Sequence, residues 1–204
     1  MLGAFLLMLP FSTEGSQWTP PLHAFFTATS AVSLTGLIVE DTGTYWTPFG
    51  QVVIITLIQL GGLGIMSLAS LSGMLLTGRI SLKARRSTAA EGRPVAGGIR
   101  RTLLLTFLVT LVCEAAVAVL LALRLHFAHG VPVLRAMWEG VFHAISAFNN
   151  AGFSTYSDNM IGFNTDAWIL LPVAFALIVG GLGYPMLAEI VRRIRGRIKL
   201  ALRG

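Results

Sequence analysis

The chain has 204 residues, of which 54% are hydrophobic and only 12% are charged, and its mean hydropathy is +0.75. Soluble domains average about 25% charged residues, so this composition excludes an ordinary soluble domain and predicts a membrane protein surrounded by a lipid bilayer. The net charge of +6 does not indicate a nucleic-acid partner, because all of the 15 basic residues except Arg124 and Arg135 lie in two stretches, 79–101 and 192–204.

The two basic stretches predict the orientation, since Lys and Arg beside membrane spans stay on the cytoplasmic side. We therefore expect a multi-pass protein of the cell membrane in which loop 79–101 and tail 192–204 are cytoplasmic and meet anionic lipid. Six of the nine acidic residues lie in segments predicted on the outer side: Glu14, Glu40, Asp41, Glu139, Asp158 and Asp166. The single cysteine, Cys113, gives neither a disulfide framework nor a thiolate metal site within these residues.

The first half of the chain is predicted to hold a partial helix, a short re-entrant helix and one complete span. Residues 1–10 are apolar but shorter than the roughly 20 needed to cross a bilayer, so they read as the outer end of a truncated helix. A proline start predicts a helix over 21–33, about 20 Å long and half a membrane deep. The chain then leaves the helix at Gly36, returns to the surface through the polar segment 40–48, and crosses the membrane over 50–77.

The second half is predicted to repeat this order. After the basic loop 79–101 come a span over 102–123, a short helix over 134–147 and a last span over 167–191. The tail 192–204 ends the chain.

Two motifs recur in the same order and predict an internal repeat. FTATSAVSLTGL at 26–37 returns as FHAISAFNNAGF at 142–153, and GGLG at 61–64 returns at 180–183. The offsets are 116 and 119 residues. The predicted fold is an all-α polytopic membrane protein with two repeats, 1–78 and 102–204, each a membrane helix, a pore loop and a second membrane helix. The GGLG glycines are predicted to permit close helix packing: Gly61, Gly62, Gly64, Gly180, Gly181 and Gly183.

The pore loops, expected within 21–38 and 134–154, predict a cation pathway. Non-helical backbone at membrane depth is tolerated only where it is buried in protein or lines water. Carbonyl oxygens there can replace the hydration shell of an ion, and the C-terminal end of each short helix would direct its negative dipole toward that ion. The predicted carbonyl ligands are Leu34, Thr35, Gly36, Asn150, Ala151 and Gly152, and the predicted supporting side chains are Ser30, Ser33, Ser146 and Asn149.

Four segments carry a family resemblance: FTATSAVSLTGLIVEDTGTYWTPFGQ, IQLGGLGIMSLASL, HAISAFNNAGFSTYSDN and VGGLGYPMLAEI. In these the chain resembles the Trk/Ktr/HKT superfamily of potassium transporters, and most of all the bacterial Ktr/TrkH membrane subunit. The resemblance implies four repeats around one pore, each giving one filter glycine, with Gly36 and Gly152 as the first two. Glycine at the first position is associated in this family with potassium, and serine there with sodium in some plant relatives. Potassium transport is therefore expected, with sodium or non-selective monovalent cation transport as the alternative.

The resemblance also implies partners, and it implies more repeats than this sequence contains. A homodimeric membrane subunit and a cytoplasmic nucleotide-binding regulatory ring are expected, with potassium as the transported ion and no covalent cofactor. Only two of four repeats are present, so we expect either part of a longer protein or two chains that together close a pore. A non-conducting assembly module is a further alternative. A membrane-embedded hydrolase would need a catalytic set such as HExxH, GxSxG or paired aspartates, and the sequence has none, so an enzyme is not expected.

Two single residues stand out within the predicted helices. Glu114, near the centre of a span, costs about 2.5–3.5 kcal/mol on insertion scales and needs a partner. Gln59 lies at the same predicted depth, so a hydrogen bond between Gln59 and Glu114 that links the two repeats is expected. A proton-coupling role for Glu114 is the alternative. His143, on the second short helix, is expected to pack or to form a hydrogen bond, with pH gating as its alternative.

Overall fold

A computed structural model describes residues 1–80 and 95–182 of the chain. The described residues form helices and no β-strand. The helices are α1 (Leu2–Met8), α2 (Pro21–Ser33), α3 (Pro48–Ile80), α4 (Val95–His129), α5 (Val133–Phe148) and α6, described over Ala167–Leu182, with short 3₁₀ turns at Pro10–Ser12 and Ile161–Phe163. The predictions for the middle of the basic loop, for Gly183 and for the tail lie outside the described residues.

The chain divides into two compact units. The first consists of Met1–Gly62 and Leu111–Gly181, and the second of Leu63–Thr110 and Leu182–Gly204. In the second unit the described residues are the helical stretches 63–80 and 95–110 and Leu182, the last described residue of α6. Every contact discussed below lies within the first unit.

Two helices contain segments long and apolar enough to cross a membrane. The segments are Pro48–Ile65 in α3 and Phe107–His129 in α4. Helix α4 extends beyond the predicted 102–123 at both ends. Its polar last turn does not end the helix, which instead stops at Gly130, where φ is +68° and suits glycine.

The two short helices lie at or within one residue of their predicted bounds. Helix α2 begins at Pro21, and α5 begins directly after Pro132. Pro21 occupies the first helical position of α2, where proline fixes a helical φ and lacks an N–H that would be unpaired, whereas Pro132 is the N-cap of α5. At 1.5 Å per residue, α2 is about 20 Å long and α5 about 24 Å, each shorter than a bilayer core.

Residues of both sequence repeats share one hydrophobic core in the first unit. Leu7 of α1, Ile54 and Ile58 of α3, and Phe142 of α5 are fully buried in the same cluster. Helices in lipid associate by close packing and hydrogen bonds rather than by the hydrophobic effect. The polar contacts between these helices therefore contribute to their association.

Candidate cation-binding loops

Two loops of the same shape follow the two short helices. We call residues 34–38 the first loop and residues 150–154 the second loop. In the first, Leu34 has φ +58° and Gly36 has φ +69°; in the second, Asn150 has φ +56° and Gly152 has φ +76°. Positive φ at the glycines agrees with the reasoning from sequence. Positive φ at Leu34 and Asn150 was not anticipated, because only glycine adopts that region without cost.

The same backbone hydrogen bond closes both helix ends. Thr35 N donates to Ser30 O at 3.1 Å, and Ala151 N donates to Ser146 O at 2.8 Å. This is the long bond of a Schellman ending, in which one residue turns left-handed and the chain leaves the helix. Asn150 suits that position, whereas a left-handed leucine costs about 1–2 kcal/mol. Strain of this kind persists only where the surroundings impose it, and it is concentrated at functional sites.

Six backbone carbonyls of the two loops, three in each, are not used by hydrogen bonds in the part of the chain that the structure describes. Within the described residues, none of the carbonyl oxygens of residues 34–36 and 150–152 accepts a hydrogen bond. The loops also approach each other at their glycines: a Cβ placed on Gly36 would lie 2.7 Å from Ala151 O and 3.2 Å from Gly152 Cα. The arrangement therefore presents unused carbonyl oxygens where two backbone segments meet.

At three GGLG glycines, atoms from the end of a short helix occupy the space that a side chain would need. A Cβ on Gly61 would overlap Val32 O, and a Cβ on Gly180 would overlap Phe148 O. The two contacts are equivalent, since Val32 and Phe148 occupy the same repeat position. A Cβ on Gly62 would likewise overlap the Asn149 side-chain oxygen.

The other GGLG glycines differ. A Cβ on Gly181 would be in ordinary contact, 3.7 Å from Asn150 Nδ2. A Cβ on Gly64 would meet no atom within 4 Å, so the packing predicted for Gly64 is not seen in the part of the chain that the structure describes. Close docking is therefore a property of particular glycines and not of the motif as a whole.

The first loop has little side-chain support. Thr35 Oγ1 donates to Ser30 Oγ at 2.9 Å, which links the loop to its helix. Ser33, predicted to support the loop, instead donates to Thr29 O of its own helix at 2.7 Å and is exposed. That bond is the common return of a helical serine to the preceding turn, and it uses the one donor of the Ser33 hydroxyl.

The second loop is held by two buried side chains of α5. Ser146 Oγ donates to Phe153 O at 2.6 Å. His143 Nδ1 lies 2.7 Å from Glu139 O, which can only accept, so Nδ1 carries the proton. In neutral His143, Nε2 then accepts from Ser154 Oγ at 3.0 Å. The hydrogen bond expected for His143 is present, and it reaches the end of the second loop.

A chain of polar and aromatic contacts continues outward from His143. Its ring stacks on Tyr156, with centroids 5.0 Å apart and an interplanar angle of 16°. The Tyr156 hydroxyl donates to Glu139, whose other oxygen accepts from Arg135 Nε at 2.7 Å. Burial raises the pKa of Tyr156, and the Glu139 carboxylate raises it further. Tyr156 therefore remains a donor throughout the physiological pH range.

Two buried polar side chains, Glu114 and Asn149, meet the half-buried Gln59 beside the second loop. The hydrogen bond predicted from depth, Gln59 Nε2 to Glu114 Oε2, is present at 3.1 Å. Asn149, adjacent to the loop, joins them: its Nδ2 lies 3.0 Å from Gln59 Oε1 and 3.1 Å from Glu114 Oε1. Sequence reasoning placed Asn149 near the loop but missed this link, because residues 35 and 90 positions apart carry no local signal of contact.

The carboxylate of Asp166 holds the start of α6 in place through several partners. Asp166 accepts from Arg124 Nε at 2.9 Å, lies 2.8 Å from His129 Nε2, and accepts from Trp168 N at 3.0 Å as an N-cap. Arg124, and then His129, lower the pKa of Asp166 to about 2. In the part of the chain that the structure describes, no group of three or more His, Cys, Asp or Glu could hold a metal ion.

Comparison with known sequences identifies the family. A family model described as TrkH, a cation transport protein, matches residues 3–203. The chain belongs to the TrkH family of cation transport proteins. The family, together with the two apolar helices, makes it a membrane protein.

Curated relatives of this family member carry potassium in their names. The chain is 42% identical to the Ktr system potassium uptake protein B of Bacillus subtilis, a match that covers 96% of this chain and 43% of the relative. It is 38% identical to the protein of the same name from Vibrio alginolyticus, over 94% of this chain and 42% of the relative. The potassium/sodium uptake protein NtpJ of Enterococcus hirae is 33% identical, over 99% and 46%. The chain thus spans less than half the length of these relatives.

Proposed function

We propose that the chain forms part of the pore of a Trk/Ktr-type potassium uptake system, in which the two loops supply two sides of a selectivity filter. The observation that carries the proposal is the set of six carbonyl oxygens, at residues 34–36 and 150–152, that accept no hydrogen bond within the described residues. Backbone carbonyls at membrane depth that are not used by the fold are suited to replace water around a monovalent cation.

The proposal includes the arrangement around the loops. Two repeats of membrane helix, pore loop and membrane helix would be joined by further repeats of the same kind to close the pore. The pore loops would open to the outside, and the basic segments would face the cytoplasm. The matching path of the two loops, with positive φ two residues apart in each, supports equivalent roles.

The partners are proposed from the resemblance to the Trk/Ktr family. The membrane subunit would form a homodimer, and a cytoplasmic nucleotide-binding ring would dock on its basic face. Two relatives are named as proteins of a Ktr system, which supports assembly with other components.

Sodium transport by the same loops is the second candidate. The relative from Enterococcus hirae is named as a potassium/sodium uptake protein. Glycine at position 36, where serine accompanies sodium transport in some members of the resembled family, favours potassium.

Rubidium uptake by the full-length protein, in cells that lack their own potassium uptake, tests the filter assignment. Gly36→Ser and Gly152→Ser are expected to change both the uptake rate and the preference for rubidium over sodium. Gly130→Ala is the matched control, because Gly130 also has positive φ (+68°) but lies in open space away from the loops. If both loop variants match the wild type in rate and ion preference, the filter assignment is wrong.

A further inference from the structure

The buried acid behind the second loop has a defined set of partners. Glu114, on α4, is 5% exposed, and Asn149, directly before the second loop, is 3% exposed. Gln59 of α3 completes the group. We call Gln59, Glu114 and Asn149 the triad.

The orientation of each amide in the triad follows from one backbone carbonyl. Asn149 Nδ2 lies 2.9 Å from Ile145 O, which can only accept, so this atom is the nitrogen. The same nitrogen faces Gln59 Oε1 and Glu114 Oε1, so the facing atom of Gln59 is its oxygen. The Gln59 nitrogen is then left to face Glu114 Oε2 at 3.1 Å.

This orientation bears on the charge of Glu114. Each carboxyl oxygen lies within hydrogen-bond distance of an amide nitrogen, which donates and does not accept. The arrangement therefore fits the ionised carboxylate, which accepts at both oxygens. Desolvation within a membrane opposes the charge, and hydrogen bonds from two amides offset only part of that cost.

Among the described residues, the Glu114 carboxylate has no cationic partner. No Lys, Arg or His within the described residues forms an ion pair with Glu114, whereas the other buried acids of this region, Glu139 and Asp166, are each paired with an arginine. The second loop begins at Asn150, one residue beyond the Asn149 that Glu114 contacts. A cation at the loop carbonyls would place an opposite charge close to this contact in the chain.

We propose that Glu114 determines cation affinity, as a carboxylate held behind the second loop by Gln59 and Asn149. Its negative charge favours a monovalent cation at the carbonyls of residues 150–152, and the bound cation in turn stabilises the charge. The proposal rests on the proposed function of the loops, because it needs a cation there.

The expected effect follows from Coulomb's law. A contact at Asn149 plus one or two residues of chain places the carboxylate on the order of 10 Å from the loop carbonyls. At that distance, and at an effective dielectric constant of about 20, removing a unit charge weakens binding of a monovalent cation by about tenfold.

The test compares variants of the full-length protein that separate charge from shape. Glu114→Gln keeps the shape and removes the charge, whereas Glu114→Asp keeps the charge. Gln59→Leu removes one of the two amides that donate to the Glu114 carboxylate. Two quantities are measured for each: the KM for rubidium uptake, and the potassium concentration that gives half-maximal thermal stabilisation of the purified protein in detergent.

The expected result is a rise of about tenfold in both quantities for Glu114→Gln, and smaller rises for Glu114→Asp, which keeps the charge, and for Gln59→Leu, which removes one of the two amides that hold it. An unchanged Glu114→Gln variant would overturn the proposal, as would equal rises in Glu114→Gln and Glu114→Asp, which would mean that the triad acts through shape alone. If Glu114→Gln does not fold, Glu114→Asp decides, since a tenfold rise there, or a failure to fold, would assign Glu114 a structural role.

Failure of the proposed function would look different. In that case the wild type would take up no rubidium, or its loop glycine variants would take it up as the wild type does. Failure of this inference alone would leave wild-type uptake and the glycine effects intact, with only the Glu114 variants unaltered.

Discussion

The first and second loops follow one backbone path with different support. Each leaves its helix through a left-handed residue and reaches a positive-φ glycine two residues later. The second loop is fastened by buried side chains, Ser146 to Phe153 O and His143 to Ser154. At the position equivalent to His143, Thr27 Oγ1 is buried and has no hydrogen-bond partner among the described residues.

The two loops share a backbone path but differ in the side chains that hold that path in place. Because Gly36 and Gly152 are common to the two loops and their flanking residues are not, the path depends on backbone geometry at the turn and the glycine. The packing around each loop differs independently of its backbone path. The second loop has buried Ala151 and Phe153, whereas Leu37 and Ile38 of the first loop are 60% and 50% exposed.

The largest expected effect comes from adding a methyl group at each glycine. Gly36→Ala and Gly152→Ala both force alanine into a left-handed conformation, at a cost on the order of 1–3 kcal/mol. Gly36→Ala should be the more damaging, because its Cβ would lie 2.7 Å from Ala151 O, whereas the Cβ of Gly152→Ala meets only Gly36 Cα at 3.3 Å. Rubidium uptake by the two full-length variants measures this, and equal losses would mean that conformation alone matters.

Removing the matched serines should reveal the difference in support. Ser146→Ala leaves the buried carbonyl of Phe153 without its donor and should lower the free energy of unfolding by about 1–3 kcal/mol. Ser30→Ala removes an acceptor from Thr35, whose hydroxyl is exposed and can turn to water, so its cost should stay near 0.5–1 kcal/mol. Thermal unfolding in detergent compares the two, and a larger loss for Ser30→Ala would contradict the assignment of support.

The helices that follow the loops differ in their N-caps. Thr47 Oγ1 accepts from Gly50 N at 3.3 Å, and Asp166 Oδ1 accepts from Trp168 N at 3.0 Å. The two residues are equivalent at the 119-residue offset, but only Asp166 titrates. Its pKa in the folded protein, about 2, lies below the ordinary value of 3.8. Its stabilising effect is therefore complete above about pH 4 and is lost as the pH falls through about 2.

Unfolding temperatures measured from pH 5 to pH 2 test this difference. The gap between the wild type and Asp166→Asn should close as the pH falls, whereas the gap between the wild type and Thr47→Ala should stay constant. A gap for Asp166→Asn that does not change with pH would show that Arg124 and His129 do not depend on the charge of Asp166.

The smallest effect concerns the left-handed residues. Asn150→Leu should lower stability by about 1 kcal/mol, because leucine avoids this conformation more strongly than asparagine does. Leu34→Asn should raise it, by less than about 1 kcal/mol, since leucine also packs against the core. Denaturation of the two purified variants measures both changes, and two changes of the same sign would contradict equivalent conformations.

Much of this arrangement could be predicted from the sequence where a residue acts locally. Pro21 marked the start of a short helix, and the repeat offset of 116 residues identified Gly36 and Gly152 as equivalent. Depth counted along two spans paired Gln59 with Glu114. Each of these signals lies within one element, or in the spacing between two copies of one element.

The features that could not be predicted from the sequence depend on packing between distant segments. Leucine gives no sign of a left-handed conformation, so Leu34 could not be found. Gly61 and Gly64 belong to the same GGLG motif, yet only Gly61 receives a neighbouring carbonyl. The role of Asn149 required knowledge of which spans lie beside the second loop. The first GGLG motif predicted close contact, but it could not specify which of its glycines makes that contact.

The docking of Val32 O on Gly61, and of Phe148 O on Gly180, has a consequence for how these positions can vary. The group that enters each glycine position is a main-chain oxygen, which every amino acid carries. Positions 32 and 148 are therefore free to hold side chains as different as valine and phenylalanine, whereas positions 61 and 180 accept hydrogen alone. The fit between short helix and span is thus specified from one side only, and a substitution at the glycine cannot be compensated by a smaller residue on the opposite helix.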